Sequence, residues 1–227
     1  MIRRILDFFP FLLILLIALL TVFSWIGSVY GMNVQNLMSA DGVRWLVSNV
    51  LPNFNRAPIA IILLTLMTLS TLTESELLTT LFKRSKPLTL KQRRALLYAT
   101  VVFLLGIALI LALTLLPSSI LLSAFGHFEH SALQKGLFPL LLALILLASV
   151  TYGYTAGRFF SWTDLVRAAA YIPSRVASYW LTLFVVSQFV ACLEHVFMPV
   201  SPTPITILAN LLYFVPLFLH LVNIRRT

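Results

Sequence analysis

Residues 8–30 read FFPFLLILLIALLTVFSWIGSVY, 23 positions without a single charge. At 1.5 Å per residue such a run makes a helix about 34 Å long, enough to cross the roughly 30 Å of hydrocarbon in a bilayer. It is too long and too aromatic for a signal peptide, and no small-residue cleavage site follows, so it reads as a mature helix. Five further runs have the same character: 58–82, 95–116, 137–156, 176–198 and 205–224. With 60% apolar residues, 10% charged residues and a mean hydropathy of +0.98, the 227-residue chain has too little polar surface for a water-soluble domain. The expected fold is an all-α integral membrane protein of about six transmembrane helices, forming one polytopic domain over 1–227.

The net charge of +9 invites a nucleic-acid reading, but its placement argues for topology. Arg3 and Arg4 precede the first run, Lys83, Arg84, Lys86, Lys91, Arg93 and Arg94 follow the second, Arg158, Arg167 and Arg175 follow the fourth, and Arg225 and Arg226 follow the sixth. Thirteen of the 16 basic residues thus share one side, leaving Arg44, Arg56 and Lys135 opposite. The positive-inside rule then makes the N and C termini cytoplasmic. No aromatic-interleaved basic patch accompanies the charge, so the expected partner is the lipid bilayer and not nucleic acid.

The connections carry their own helices. Val43, Leu46, Val47, Val50 and Leu51 recur at helical spacing opposite Arg44 and Asn49, which predicts an interfacial helix near 41–51 capped by Ser39 or Asp41, with Trp45 at headgroup level. A second short helix is expected near 164–172, opened by Thr163 or Asp164 and ended by Pro173. Thr89 is the expected cap of the third span.

Polar residues inside the runs are the candidates for chemistry. In the second run Thr65, Thr68, Thr71, Ser75 and Thr79 fall on one face with Glu74 and Glu76 beside them. Thr68, Thr71, Glu74 and Ser75 are the candidate substrate or ion ligands. The competing reading is structural: both glutamates lie near the cytoplasmic headgroups, and Thr73 with Glu76 has capping-box spacing, which would end the span there and begin a surface helix. His127, Glu129 and His130 lack the spacing of a zinc motif and read as a loop. Glu194 and His195 are expected to meet water or each other. Gly153 and Gly157 are a small-xxx-small pair suited to helix packing or to a turn. Asn210 calls for a protein partner, and Pro216 for a kink. Cys192 is alone in an apolar run and so reads as a small buried hydrophobe. No nucleophile with its base, no phosphate loop and no cofactor motif is present, so an enzyme is not expected.

Several stretches carry a family resemblance. The run from Asn36 through Asp41, Gly42, Arg44 and Trp45, followed by Asn53-Phe54 and Ala57-Pro58, resembles the first periplasmic segment of the p-aminobenzoyl-glutamate transporter (AbgT) family. Leu88 to Leu96 is similar to a basic helix start in that family. Tyr152-Gly153 with Gly157, then Asp164-Leu165-Val166, then Ser187-Gln188-Phe189-Val190-Ala191, resembles its tyrosine-glycine helix end, acidic turn and following helix. The pieces keep their order and touch most of 5–198.

The resemblance implies a bacterial cytoplasmic (inner) membrane location and an elevator-type secondary transporter whose repeats each carry a re-entrant hairpin holding substrate and coupling ion. The departures are equally specific. The second run passes straight into the basic linker at Lys83, and a short Ser201-Pro202-Thr203-Pro204 turn stands where the second hairpin belongs. The expectation is a shortened member lacking the hairpin segments. It would be either a transport protein for p-aminobenzoyl-glutamate or related antimetabolites, or a non-transporting scaffold or accessory subunit pairing as a homodimer or with another membrane protein. Reporter fusions test the underlying topology: junctions after Gln35 and His130 should report the outer side and junctions after Lys91 and Arg167 the cytoplasm. A cytoplasmic His130 contradicts it.

Overall fold

In hydrocarbon an unpaired backbone amide costs several kcal/mol, so an apolar run satisfies itself as a helix. A computed structural model of the chain describes residues 2–82, 88–115, 131–197 and 202–224, and among these there is no strand. The helices are α1 (Ile2–Val29), α2 (Ala40–Arg56), α3 (Ile59–Glu74), α4 (Leu77–Phe82), α5 (Leu90–Leu115), α6 (Ala132–Ala156), α7 (Trp162–Arg175), α8 (Ala177–Val196) and α9 (Pro202–Ile224). Among the described residues, six stretches are long and apolar enough to cross a membrane: Leu6–Val29, Ala40–Glu74, Leu90–Leu115, Ala132–Ala156, Ala177–Val196 and Pro204–Ile224. The all-α, six-span expectation therefore holds.

The helices fall into two compact units, Met1–Ile59 with Arg175–Thr227, and Ala60–Ser174. In the first, α8 packs against α1, α2 and α9. Leu20, Leu37, Cys192 and Val196 form a core there, with Trp45 and Leu46 against it. The strap between α1 and α2 is tied at both sides: Leu37 N donates to Ser24 Oγ at 3.1 Å and Gln35 N to Val196 O at 3.1 Å. Ser39 caps α2 by accepting from Gly42 N at 3.0 Å.

In the second unit α5 and α6 form a hairpin. Ala95, Ala99, Ala148 and Tyr152 pack with Leu72 and Leu77. Thr89 caps α5 through a reciprocal box, its Oγ1 accepting from Gln92 N at 3.3 Å while Gln92 Oε1 accepts from Thr89 N at 3.1 Å. Ser131 caps α6 through Gln134 N at 3.1 Å. Small residues permit the close approach: a Cβ on Gly106 would meet Leu144 Cδ1 at 2.3 Å.

Several expectations need correction. The helix near 41–51 extends to Arg56, through Pro52. Val43, Val47 and Leu51 are exposed, Gly42 and Asn53 are buried, and Trp45 and Leu46 pack against the core. The single helix expected over 58–82 is two, α3 and α4, broken at Ser75–Glu76. Pro173 does not end α7, which runs to Arg175, since a proline in the last turn removes only one bond. Pro202 to Pro204 belong to the first turn of α9 rather than to a turn before it, a position that suits proline because its missing N–H has no helical acceptor there. Glu194, half exposed, pairs with Arg56 at 3.8 Å and His195 stacks on Trp45 at 4.0 Å, so the two do not meet each other. His127, Glu129 and His130 lie outside the described residues.

Gly42 is the tightest point of the α2 dock. A Cβ there would lie 2.4 Å from Asn36 O and 2.6 Å from Leu37 Cα, backbone atoms that cannot swing aside. Gly42→Ala should destabilise the purified protein by about 1–3 kcal/mol, read as a lowered Tm in detergent. An unchanged Tm contradicts this packing.

Candidate functional site

The hydroxyl face of α3 is the place where a transport site was expected. Thr68, Thr71 and Ser75 are buried, at 2%, 1% and 0% exposure, while Glu74 is exposed on another side of the helix. Thr68 Oγ1 donates to Leu64 O at 2.8 Å and lies 3.4 Å from Leu142 O on α6. Thr71 Oγ1 reaches Met67 O and Thr68 O, both at 3.0 Å, and lies 3.1 Å from Ser149 Oγ on α6. Ser75 Oγ points to Leu72 O at 3.3 Å. A hydroxyl has one proton, and in each case a carbonyl of its own helix takes it. The structure thus unites Thr68, Thr71 and α6, keeps Ser75 a turn away, and leaves Glu74 apart.

Two residues of this network were not singled out in the sequence. Ser149 bridges α3 and α6, and Ser70 ties α3 to α7 by donating to Ala168 O and accepting from Ile172 N at 3.0 Å. The available signal was a small polar residue inside an apolar run, which needs a partner in lipid.

At the end of α3 the chain does something unusual. Glu76 has φ +61°, the only non-glycine residue with positive φ among those described, a conformation that costs about 1–2 kcal/mol for an L-residue. This left-handed residue ends α3, so the capping box expected from Thr73 and Glu76 does not form. Thr73 Oγ1 instead bonds Ser70 O at 2.8 Å, and Leu77 N leans on Ser75 Oγ at 3.4 Å. The Glu76 carbonyl restarts the chain as α4 by accepting from Thr80 N at 3.0 Å, and its carboxylate forms an ion pair with Arg158. Thr80 Oγ1 and the buried Tyr152 hydroxyl meet at 2.7 Å.

Arg158 is delivered by the end of α6. Gly157, at φ +76°, is the left-handed cap, and Arg158 N donates to Gly153 O at 2.8 Å. Gly153 leaves room for the Phe159 ring, which a Cβ would meet at 2.3 Å. The glycine pair therefore builds a turn and not a helix crossing. Lys91 brings its ammonium to this helix end, where a Cβ on Gly157 would lie 2.5 Å from Nζ, and a cation there is favoured by the helix dipole. α7 begins at Trp162, before the expected opening at Thr163 or Asp164, because Ser161 is the cap and Asp164 answers it from the first turn: Phe160 N and Ser161 N donate to Oδ2 at 3.1 and 3.0 Å, and Asp164 N to Ser161 Oγ at 3.3 Å. The bond from the Phe160 N–H, then that from the Ser161 hydroxyl, hold this carboxyl below its ordinary value.

The remaining motif residues serve the α2 dock. Asp41 and Arg44 pair at 3.5 Å in full exposure, Trp45 stacks on His195, and Gln188 Nε2 donates to Val50 O at 2.9 Å. Among the described residues no three His, Cys, Asp or Glu side chains stand close enough to hold a metal.

Compared with known proteins, the chain matches the model of the AbgT putative transporter family over residues 82–201, just over half its length. The chain belongs to that family. No curated protein and no solved structure matches it. The AbgT match spans α5 to α8, and so contains Tyr152, Gly153, Gly157, Arg158, Asp164 and Gln188. Asp41, Gly42, Arg44 and Trp45, and the α3 residues Thr68, Thr71, Glu74 and Ser75, precede it.

The cap at Asp164 gives a pH test of this shared region. A depressed carboxyl contributes stability above its unfolded value and loses it as the pH falls through the folded one. Asp164→Ala should lower Tm at neutral pH, and the gap to the parent should begin to close as the pH drops past 3.8, vanishing once the parent carboxyl is protonated. A gap independent of pH contradicts the assignment.

Proposed function

We propose that this AbgT-family chain serves as a membrane framework and does not by itself form a complete carrier. The observation that carries the reading is the length of two connections. Only residues 83–89 separate α4 from α5, and only 197–201 separate α8 from α9. A re-entrant hairpin that reaches the midplane and returns needs about 20 residues, so neither connection has room for one.

On this reading the protein is a shortened member in a bacterial cytoplasmic membrane, a scaffold or accessory subunit that pairs with itself or with another membrane protein. A second reading, transport of p-aminobenzoyl-glutamate or related antimetabolites, draws on family membership and on the unwound Ser75–Glu76 link, since broken helices are where such carriers hold ions. Reconstitution separates the two. Proteoliposomes containing the purified chain should take up no more labelled p-aminobenzoyl-glutamate than protein-free vesicles, under a proton or a sodium gradient. Gradient-driven uptake that disappears in Thr71→Val would establish the carrier instead.

A further inference from the structure

The last turn of α2, the second half of α8 and the first half of α9 enclose a cavity of about 250 Å³ within one unit of the fold. Arg56 and Glu194 line it, paired at 3.8 Å with side chains 68% and 47% exposed, so a cation and an anion stand loosely joined where solvent reaches them. Asn53 lines it too, but is only 3% exposed. Its Nδ2 donates to Gln188 Oε1 at 3.4 Å, and its Oδ1 is buried without a partner. The orientation of that amide is forced: Gln188 Nε2 is engaged by Val50 O at 2.9 Å, so Gln188 offers Oε1, and Asn53 must answer with Nδ2. An acceptor is thereby left over. That acceptor is fully buried, so it borders the cavity without opening onto it. Val190, Ala191 and Ala209 supply an apolar wall.

We propose that this cavity binds a zwitterionic amino acid. The ammonium would meet Glu194, the carboxylate would take Arg56, and an aliphatic side chain would lie on the Val190–Ala209 wall. A simple cation would meet Arg56 unfavourably and a simple anion would meet Glu194 so, whereas a zwitterion satisfies both and replaces a weak pair with two charge-assisted contacts. The site requires neither transport nor its absence.

The test uses the purified full chain in nanodiscs and labelled L-leucine. Binding should saturate, be displaced by unlabelled L-leucine, and resist both N-acetyl-L-leucine, which lacks the ammonium, and L-leucine methyl ester, which lacks the carboxylate. Glu194→Gln and Arg56→Gln, at exposed positions that leave Tm unchanged, should each weaken binding by about tenfold or more. Three results overturn the proposal: no saturable binding, displacement by either derivative as effectively as by L-leucine, or full affinity in Glu194→Gln.

Discussion

Every hydrogen-bonding group at membrane depth must find its partner inside the protein, because hydrocarbon offers none. The described structure follows from that constraint more than from any preference of apolar side chains for one another, which lipid would accommodate equally well. Hydroxyls in the apolar helices bond carbonyls one turn back: Thr21 to Ile17, Thr100 to Leu96, Thr155 to Thr151 and Ser187 to Phe184. Helix ends are closed by Ser39, Thr89, Ser131 and Ser161, and by Gly157 in its left-handed form. In α2 the same rule sets the buried Asn53 against Gln188.

Each unit then has a recognisable fastening. Ser24, Val196 and Gly42 hold the α1–α2 strap and set where α2 ends beside α8. In the other unit Ser70, Thr71 and Ser149 stitch α3 to its neighbours, and Glu76 pairs with Arg158 across the break. The ion pair is half-exposed and contributes little alone, on the order of 1 kcal/mol or less. Its backbone setting, a left-handed glutamate opposite a left-handed glycine cap, is the more specific feature.

Much of the fold could be read from the chain because length and hydropathy fix spans almost without regard to packing. The six runs, the caps at Ser39 and Thr89, and burial of Cys192 all follow from local pattern. What escaped depends on distant partners. The break at Ser75–Glu76 has no glycine or proline to announce it; the Thr73–Glu76 spacing pointed to an ending there, but through a capping box that does not form. Amphipathicity identified α2 as a helix, but not that Gly42 and Asn53 would be its buried positions. Of the candidate ligands, three share a buried face and Glu74 does not, because a single turn of helix decides whether a carboxylate points inward. The Asn53 cavity was invisible, as it joins residues from α2, α8 and α9 that lie far apart in sequence.

The framework reading depends on there being no ion and no water-filled path at the α3 hydroxyls. A high-resolution structure of the chain in lipid nanodiscs, with any copurifying protein retained, tests this most directly. Thr68 and Thr71 still bonded to Leu64 O and Met67 O, with Ser149 packed dry against them, is the expected result. Ordered water or an ion between these hydroxyls, reached by a re-entrant segment from this chain or from a partner, would contradict it and return the site to transport.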